Sequence, residues 1–259
     1  MLSINNVSYH AGKKEIVKNI SVDFLPGEFN MILGPNGSGK STFLKLFSGE
    51  LHSATGLISY SGKKISSLKK DALAKIRAVM SQQPELSFPL TVEEVVMMGR
   101  YPHFTFNPGN KDAAVCNEVI AKMNIVELKE RNYLTLSGGE KQRVQFARVL
   151  AQIWEASSNG HRYLFLDEPL TNLDINYQQE FLTIAKSLLK SDTVLVAVMH
   201  DINLAVQYAD KLLFLKNGEL VEYGKPLEIL SEKLIQHVFN VKTKIITNPV
   251  TGLPLMVYE

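Results

Sequence analysis

Gly34-Pro35-Asn36-Gly37-Ser38-Gly39-Lys40-Ser41, followed by Thr42, constrains this 259-residue chain more than any other stretch. It fits the pattern G-x-x-x-x-G-K-[ST], and its flanks are the ones that pattern needs. The apolar run Phe29–Leu33 before it reads as a buried strand. After it, Phe43, Leu44, Leu46 and Phe47 recur at helical spacing. Glycines in such a loop let backbone N–H groups turn inward at a helix start, forming a nest for phosphate oxygens. In that setting Lys40 reaches the β- and γ-phosphates, and the Ser41 hydroxyl ligates Mg²⁺. A Gly-rich turn with an incidental lysine is the plain alternative. It explains neither the strand before the loop nor the helix after it.

The rest of the chain alternates between strand and helix texture, which implies parallel strands with helical crossovers and an α/β fold. Strand signals fall at Ile4–Tyr9, Ile20–Phe24, Gly56–Ser61, Arg77–Ser81, Tyr163–Leu166 and Thr193–Met199. Helical texture covers Val92–Met98, Ala113–Met123, Glu140–Trp154 and Gln178–Leu189. Asn217-Gly218 between Leu212–Leu215 and Leu220–Tyr223 marks a hairpin. The predicted architecture has N-terminal antiparallel β-structure and an α/β core at about 1–87 and 159–241. A helical subdomain is inserted at about 88–158, and a small β appendix follows at 242–259.

Composition excludes several function classes. With 45% hydrophobic and 21% charged residues the chain folds around an ordinary core. A net charge of +2 gives no global field for nucleic acid, and no nucleic-acid partner is expected. The single Cys116 cannot form an internal disulfide. Met1–His10 lacks the basic and apolar regions of an export signal. The longest apolar run, Val194–Met199, is far below the ~18 residues that span a bilayer. These features together predict a cytosolic chain that meets a membrane only through a partner.

Two further motifs carry chemistry. The run Tyr163-Leu164-Phe165-Leu166 ends in Asp167-Glu168, at the strand end where doubly wound sheets bind ligands. Asp167 suits a direct or water-mediated Mg²⁺ contact, and Glu168 suits a general base for an attacking water. On its own a solvated acidic turn is the better reading of this stretch; pairing with the phosphate loop reverses that preference in favour of the catalytic one. Secondly, Leu136-Ser137-Gly138-Gly139-Glu140 precedes an apolar helical face. Ser137 and Glu140 fit a capping box. A capping box does not explain two glycines in the first turn, each costing ~1 kcal/mol of helix propensity. Exposed backbone at a positive helix end suits close approach by a second phosphate.

Taken in order, GPNGSGKST, Gln82, LSGGEKQR, YLFLDEP, LTNLD and His200 resemble the phosphate loop, Q-loop, signature, acidic strand, D-loop and switch histidine of the ATP-binding subunits of ABC transporters. The match covers nearly the whole chain. The resemblance implies a P-loop NTPase (RecA-like) core and a head-to-tail homodimer. In it, two ATPs with Mg²⁺ lie between the 34–42 loop of one copy and Ser137, Gly138, Gly139 and Glu140 of the other. Ser41, Gln82 and Asp167 would serve Mg²⁺, Asp174 would cross the interface, and His200 would hold the γ-phosphate. Gln82 is preferred to Gln83 because Val79-Met80-Ser81-Gln82 fits the strand-then-Gln order. His200 precedes Asp201, which also reads as a helix N-cap. The aromatic residue that stacks on adenine in the family is replaced by Ala11 in register, leaving Tyr9 or His10 as substitutes.

Within the family, Phe88-Pro89-Leu90-Thr91-Val92 and Met98-Gly99-Arg100-Tyr101-Pro102-His103 resemble importers of iron chelates, cobalamin and haem. Together with Val149-Leu150-Ala151-Gln152-Ile153-Trp154, the insert Glu155–Arg162 is most similar to haemin-import ATPases, although surface loops tolerate such insertions at little cost. Siderophore and cobalamin import remain open, as does a soluble ABC ATPase without a permease. The resemblance implies two transmembrane permease subunits and a periplasmic binding protein acting through them. It also implies residence at the cytoplasmic face of the inner membrane. The six histidines are scattered and no C-x-x-C-H motif occurs, so the chain itself is not expected to ligate haem.

Overall fold

The computed structural model describes residues 1–81, 86–155, 160–171 and 173–259. The chain divides into two compact units, Met1–Ser67 with Leu189–Glu259, and Leu68–Leu188. The first unit opens with antiparallel strands β1 (Leu2–Ala11) and β2 (Lys14–Phe24). Their side chains alternate, with Ile4, Val17, Ile20 and Phe24 buried and their neighbours wet, as in a sheet with one solvated face. By contrast β3 (Phe29–Leu33) is buried at every position, which is why it reads as a continuous apolar run. Helix α1 (Lys40–Ser48) follows the phosphate loop and stops at Gly49, whose φ of 80° makes the left-handed cap. Next, β4 (Thr55–Tyr60) and β5 (Lys63–Lys64) complete an antiparallel sheet of order β2-β1-β4-β5.

The second unit runs through α2 (Lys70–Ile76), β6 (Arg77–Met80), α3 (Val92–Met97), a 3₁₀ stretch at Met98–His103 and α4 (Asn110–Lys122). It closes with α5 (Gly138–Gln152), β7 (Arg162–Asp167) and α6 (Ile175–Ser187). β6 and β7 are parallel, with Met80 opposite Leu166. Val95, Val96, Val119, Ile120, Phe146 and Leu150 bury the facing sides of α3, α4 and α5.

The chain then returns to the first unit as β8 (Thr193–Val198), α7 (Ile202–Tyr208), β9 (Lys211–Lys216) and β10 (Glu219–Gly224). Helices α8 (Pro226–Ile229) and α9 (Glu232–Phe239) precede the antiparallel hairpin β11 (Thr243–Thr247) and β12 (Pro254–Tyr258). β3 lies between β8 and β9 and is parallel to both. The Asn217-Gly218 turn joins β9 to β10 with φ of 51° and 85°, the positive pair that a tight hairpin requires. The expected strands and helices are present, with β2 starting six residues ahead of Ile20, whereas α2, α8 and α9 lie outside every expected helix. The C-terminal hairpin is fastened to α7 by a two-way bond: Asn203 Nδ2 donates to the Met256 carbonyl (3.0 Å), and the Met256 N–H donates to Asn203 Oδ1 (2.8 Å).

Arg100 is the largest fully buried side chain of the second unit, 1% exposed. Its Nε donates to Asp112 Oδ1 (2.9 Å), Nη1 to the Ala151 carbonyl (2.9 Å) and Nη2 to Glu155 Oε2 (2.7 Å). A buried guanidinium is tolerable only when each of its donors is met. Burial alone would raise the Asp112 carboxyl, but the Gly109 N–H and Arg100 hold it below its ordinary 3.8. Glu155 is lowered first by its Lys111 bond and then by Arg100. His103, whose Nε2 donates to the Gln152 carbonyl (2.8 Å), is lowered mainly by desolvation. All three groups are depressed in the fold. Each therefore contributes stability that is complete above its unfolded value and is lost on acidification. The loss begins near the ordinary histidine value of 6.5 and steepens below 4.5. Arg100→Met leaves Asp112 buried without its cation and is expected to cost about 3–5 kcal/mol by chemical denaturation at pH 7. A cost under about 1 kcal/mol would show that the pair is not what holds α4 and α5 together.

Candidate functional site

In the first unit the phosphate loop is braced from behind by segments far away in sequence. A Cβ on Gly34 would lie 2.2 Å from the Leu215 carbonyl oxygen, and one on Gly39 would lie 2.8 Å from the Ile16 carbonyl oxygen. Only glycine allows those approaches. The tip of the β9–β10 hairpin also touches the loop, since the Gly218 N–H donates to the Ser38 carbonyl (3.0 Å) and the Lys18 N–H donates to the Gly218 carbonyl (2.8 Å). Lys40 is 5% exposed, and its Nζ donates to the carbonyls of Gly34 (2.8 Å) and Pro35 (3.2 Å), which draws the cation into the ring of the loop. The Ser38 hydroxyl is 2% exposed and has no hydrogen-bond partner among the described residues. A buried orphan hydroxyl inside a glycine-lined cradle is a group kept for a ligand.

His200 leaves the same sheet edge as this loop. The β3–β8 register sets Ile32 opposite Val198, and the Met199 N–H donates to the Ile32 carbonyl (3.0 Å). The loop that follows Leu33 and the histidine that follows Met199 thus start side by side. His200 is exposed, and Asp201 caps α7 by accepting from the Leu204 N–H (2.9 Å). Tyr9 pairs with Val17, His10 with Glu15 and Ala11 with Lys14, so the hairpin tip carries the two aromatic substitutes.

In the second unit β7 delivers Asp167 and Glu168. Asp167 is 6% exposed. Glu168 has φ 50°, a left-handed backbone that costs a non-glycine residue ~1–3 kcal/mol and that clusters at functional sites. Glu168 is half-buried where Asp167 is buried. The Thr171 hydroxyl closes the loop onto the Glu168 carbonyl (3.1 Å). β6 ends at Met80 beside Leu166, on the edge from which Asp167 emerges; Gln82 lies outside the described residues.

The signature turn starts α5 as a capping box. The Ser137 hydroxyl accepts from the Glu140 N–H (3.3 Å), and Glu140 Oε2 accepts from the Ser137 N–H (2.7 Å). Those bonds to Ser137 hold the Glu140 carboxyl below its ordinary range. The two glycines have different explanations. A Cβ on Gly139 would lie 3.1 Å from the Tyr177 ring, so this chain's own packing restricts that position. At Gly138, apart from its chain neighbours and the backbone of its own helix turn, no atom of the described residues lies within 4 Å of such a Cβ. Nothing inside the chain demands glycine there. Asp174 is exposed at the start of α6 and makes no side-chain cap bond.

Residues 17–171 match the family model described as ABC transporter. The chain belongs to the ABC transporter ATPase family. It is 41% identical to the Hemin import ATP-binding protein HmuV of Gloeobacter violaceus over 99% of this chain and 94% of that one. It is equally 41% identical to the protein of that name from Bordetella avium, over 96% and 95%. Among solved structures it resembles a dimeric post-hydrolysis state of an ATP-binding cassette bound to ADP and Pi. The TM-score there is 0.72 and the identity 28%, covering 87% of this chain and 98% of that one. The family expected from the motifs is therefore the family found, and the chain is an ATP-hydrolysing enzyme with the ABC ATPase fold. Sequence reading missed Ile16, Leu215 and Gly218 as braces of the phosphate loop, and Gln142 and Tyr177 beside the acidic and signature turns. Gly218 alone had a local signal, as the second residue of the Asn-Gly turn.

Proposed function

We propose that this ABC ATPase energises the import of haemin. The near full-length likeness to hemin import ATP-binding proteins carries the reading. The ends of the insert at 155–162 are fastened to the second unit, Glu155 by Arg100 and Arg162 by the carbonyls of Ile153 (3.1 Å) and Trp154 (3.0 Å). The partners of the proposal are a second copy, two permease subunits and a periplasmic binding protein that acts through the permease. Among the described residues no helix is long and apolar enough to cross a membrane. The chain would bind peripherally, at the cytoplasmic face of the inner membrane. Phe88, Tyr101 and Phe106, 72%, 59% and 90% exposed, form the aromatic surface offered to the permease.

In this reading, Gly34, Pro35, Asn36, Gly37, Ser38, Gly39, Lys40, Ser41 and Thr42 bind the triphosphate of ATP. Ser137, Gly138, Gly139 and Glu140 face the nucleotide of the other copy in a head-to-tail homodimer. The open space at Gly138 is what such an approach requires. Mg²⁺ bound with ATP would neutralise charge on the phosphates. The Ser41 hydroxyl, the Gln82 amide oxygen and the Asp167 carboxylate are the hard donors suited to it. Among the described residues no cluster of three or more His, Cys, Asp or Glu forms an all-protein cage, in keeping with an ion that shares its shell with phosphate and water. Glu168 accepts a proton from the attacking water, and Lys40 and His200 stabilise charge on the γ-phosphate. Asp174 contacts the other copy. Two nests sharing one γ-phosphate favour the closed dimer, and hydrolysis removes that preference.

The test is ATPase activity of the complex reconstituted with its permease. Binding protein loaded with haemin should stimulate turnover several-fold above unloaded binding protein. Stimulation by a ferric siderophore or by cobalamin, with haemin inert, would reassign the cargo. ATP hydrolysis that never responds to a permease would favour a soluble role.

A further inference from the structure

Glu168 cannot hold its left-handed backbone unaided, so something in the second unit must fix it. Pro169 does not supply it, because a proline pushes the residue before it toward extended backbone at negative φ. The Thr171 hydroxyl on the Glu168 carbonyl is one restraint, and α5 supplies another. Gln142 Nε2 donates to the carbonyl oxygen of Pro169, the residue directly after Glu168. Gln142 lies five residues beyond the Ser137 N-cap, so this amide joins the start of the signature helix to the acidic turn. A second link runs in parallel. Arg143 stands over the Tyr177 ring of α6 at 5.1 Å, and the same ring lies against Gly139. The connection from β7 to α6 is therefore gripped by α5 at its first residues through Gln142 and beyond its end through Tyr177.

We propose that Gln142 is a positioning residue for the proton-accepting carboxylate. By holding the Pro169 carbonyl it sets the peptide on which Glu168 turns, and with it the direction of the Glu168 side chain. The inference rests on the reading of Glu168 as general base. A carboxylate moved by an ångström from its water loses on the order of 10²-fold in rate while nucleotide binding is untouched. The grip also makes the signature turn and the acidic turn parts of one rigid piece. Whatever docks on Ser137–Gly139 would then bear on the chain's own Glu168.

The experiment uses the full-length chain. Gln142→Met keeps the length of the side chain and removes the donor; Gln142→Lys restores an N–H donor at similar reach. Gln142→Met is expected to lower kcat by about 10- to 100-fold with KM for ATP within twofold, and Gln142→Lys to recover most of that loss. Placed on Glu168→Gln, Gln142→Met should subtract nothing further, because its effect passes through Glu168. Unchanged kcat in Gln142→Met, beside an inactive Glu168→Gln, overturns the positioning role and leaves the general base standing. An active Glu168→Gln overturns the general base itself. A loss in kcat and KM together that lysine fails to rescue assigns Gln142 to packing and also overturns the proposal.

Discussion

Glu168→Gln is expected to bind ATP as the parent chain does and to hydrolyse it on the order of 10²–10⁴-fold more slowly, the range that loss of a general base produces. The amide has the size and shape of the carboxylate, so the turn closed by Thr171 and Gln142 should survive the exchange. What disappears is a group able to take a proton at neutral pH. Equilibrium binding of a fluorescent ATP analogue checks the first half of this expectation, and phosphate release in a single turnover checks the second. Hydrolysis within threefold of the parent would remove Glu168 from the mechanism.

Lys40→Ala is expected to act on the opposite quantity. Its ammonium is drawn into the loop by the carbonyls of Gly34 and Pro35, where phosphate oxygens would meet it. A hydrogen bond to a charged group contributes ~1.5–3 kcal/mol, so affinity for ATP should fall by about 10- to 150-fold. Removing the side chain also cancels two bonds internal to the loop. Lys40→Arg therefore serves as the control, keeping the charge while changing its reach. Calorimetric titration with ATP measures both variants. Affinity for the alanine variant within threefold of the parent would mean that the loop does not hold the triphosphate.

Much of the fold was legible because of how its strands are buried. β3, β7 and β8 are covered on both faces and announce themselves as unbroken apolar runs, while β1 and β2 alternate. The Asn217-Gly218 turn and the Ser137–Glu140 cap were also local, each written within four residues. The helices that escaped notice, α2, α8 and α9, are short. Turns of that length are set by packing more than by propensity. The phosphate loop was found from its own glycines, but its supports were not. Ile16 and Leu215 approach it through backbone carbonyls, and a carbonyl leaves no mark on the choice of its own side chain. The bond from Gln142 to Pro169 spans 27 positions, and a glutamine one turn into a helix looks like any solvated polar residue. Gly138 and Gly139 show the reverse difficulty: two identical letters with two different reasons, separable only once Tyr177 was seen beside one of them.

Cys116 sits wholly inside the helical part of the second unit, its Sγ 3.8 Å from the Met97 sulfur. Burial pushes its thiol up to about 11. The thiol is thus held protonated and out of solvent at neutral pH, and maleimides and iodoacetamides react with the ionised form. A cysteine introduced on any exposed helix or hairpin can therefore be labelled with a dye or spin probe without replacing the native one. The wild-type sequence is already a suitable background for distance measurements during the ATP cycle.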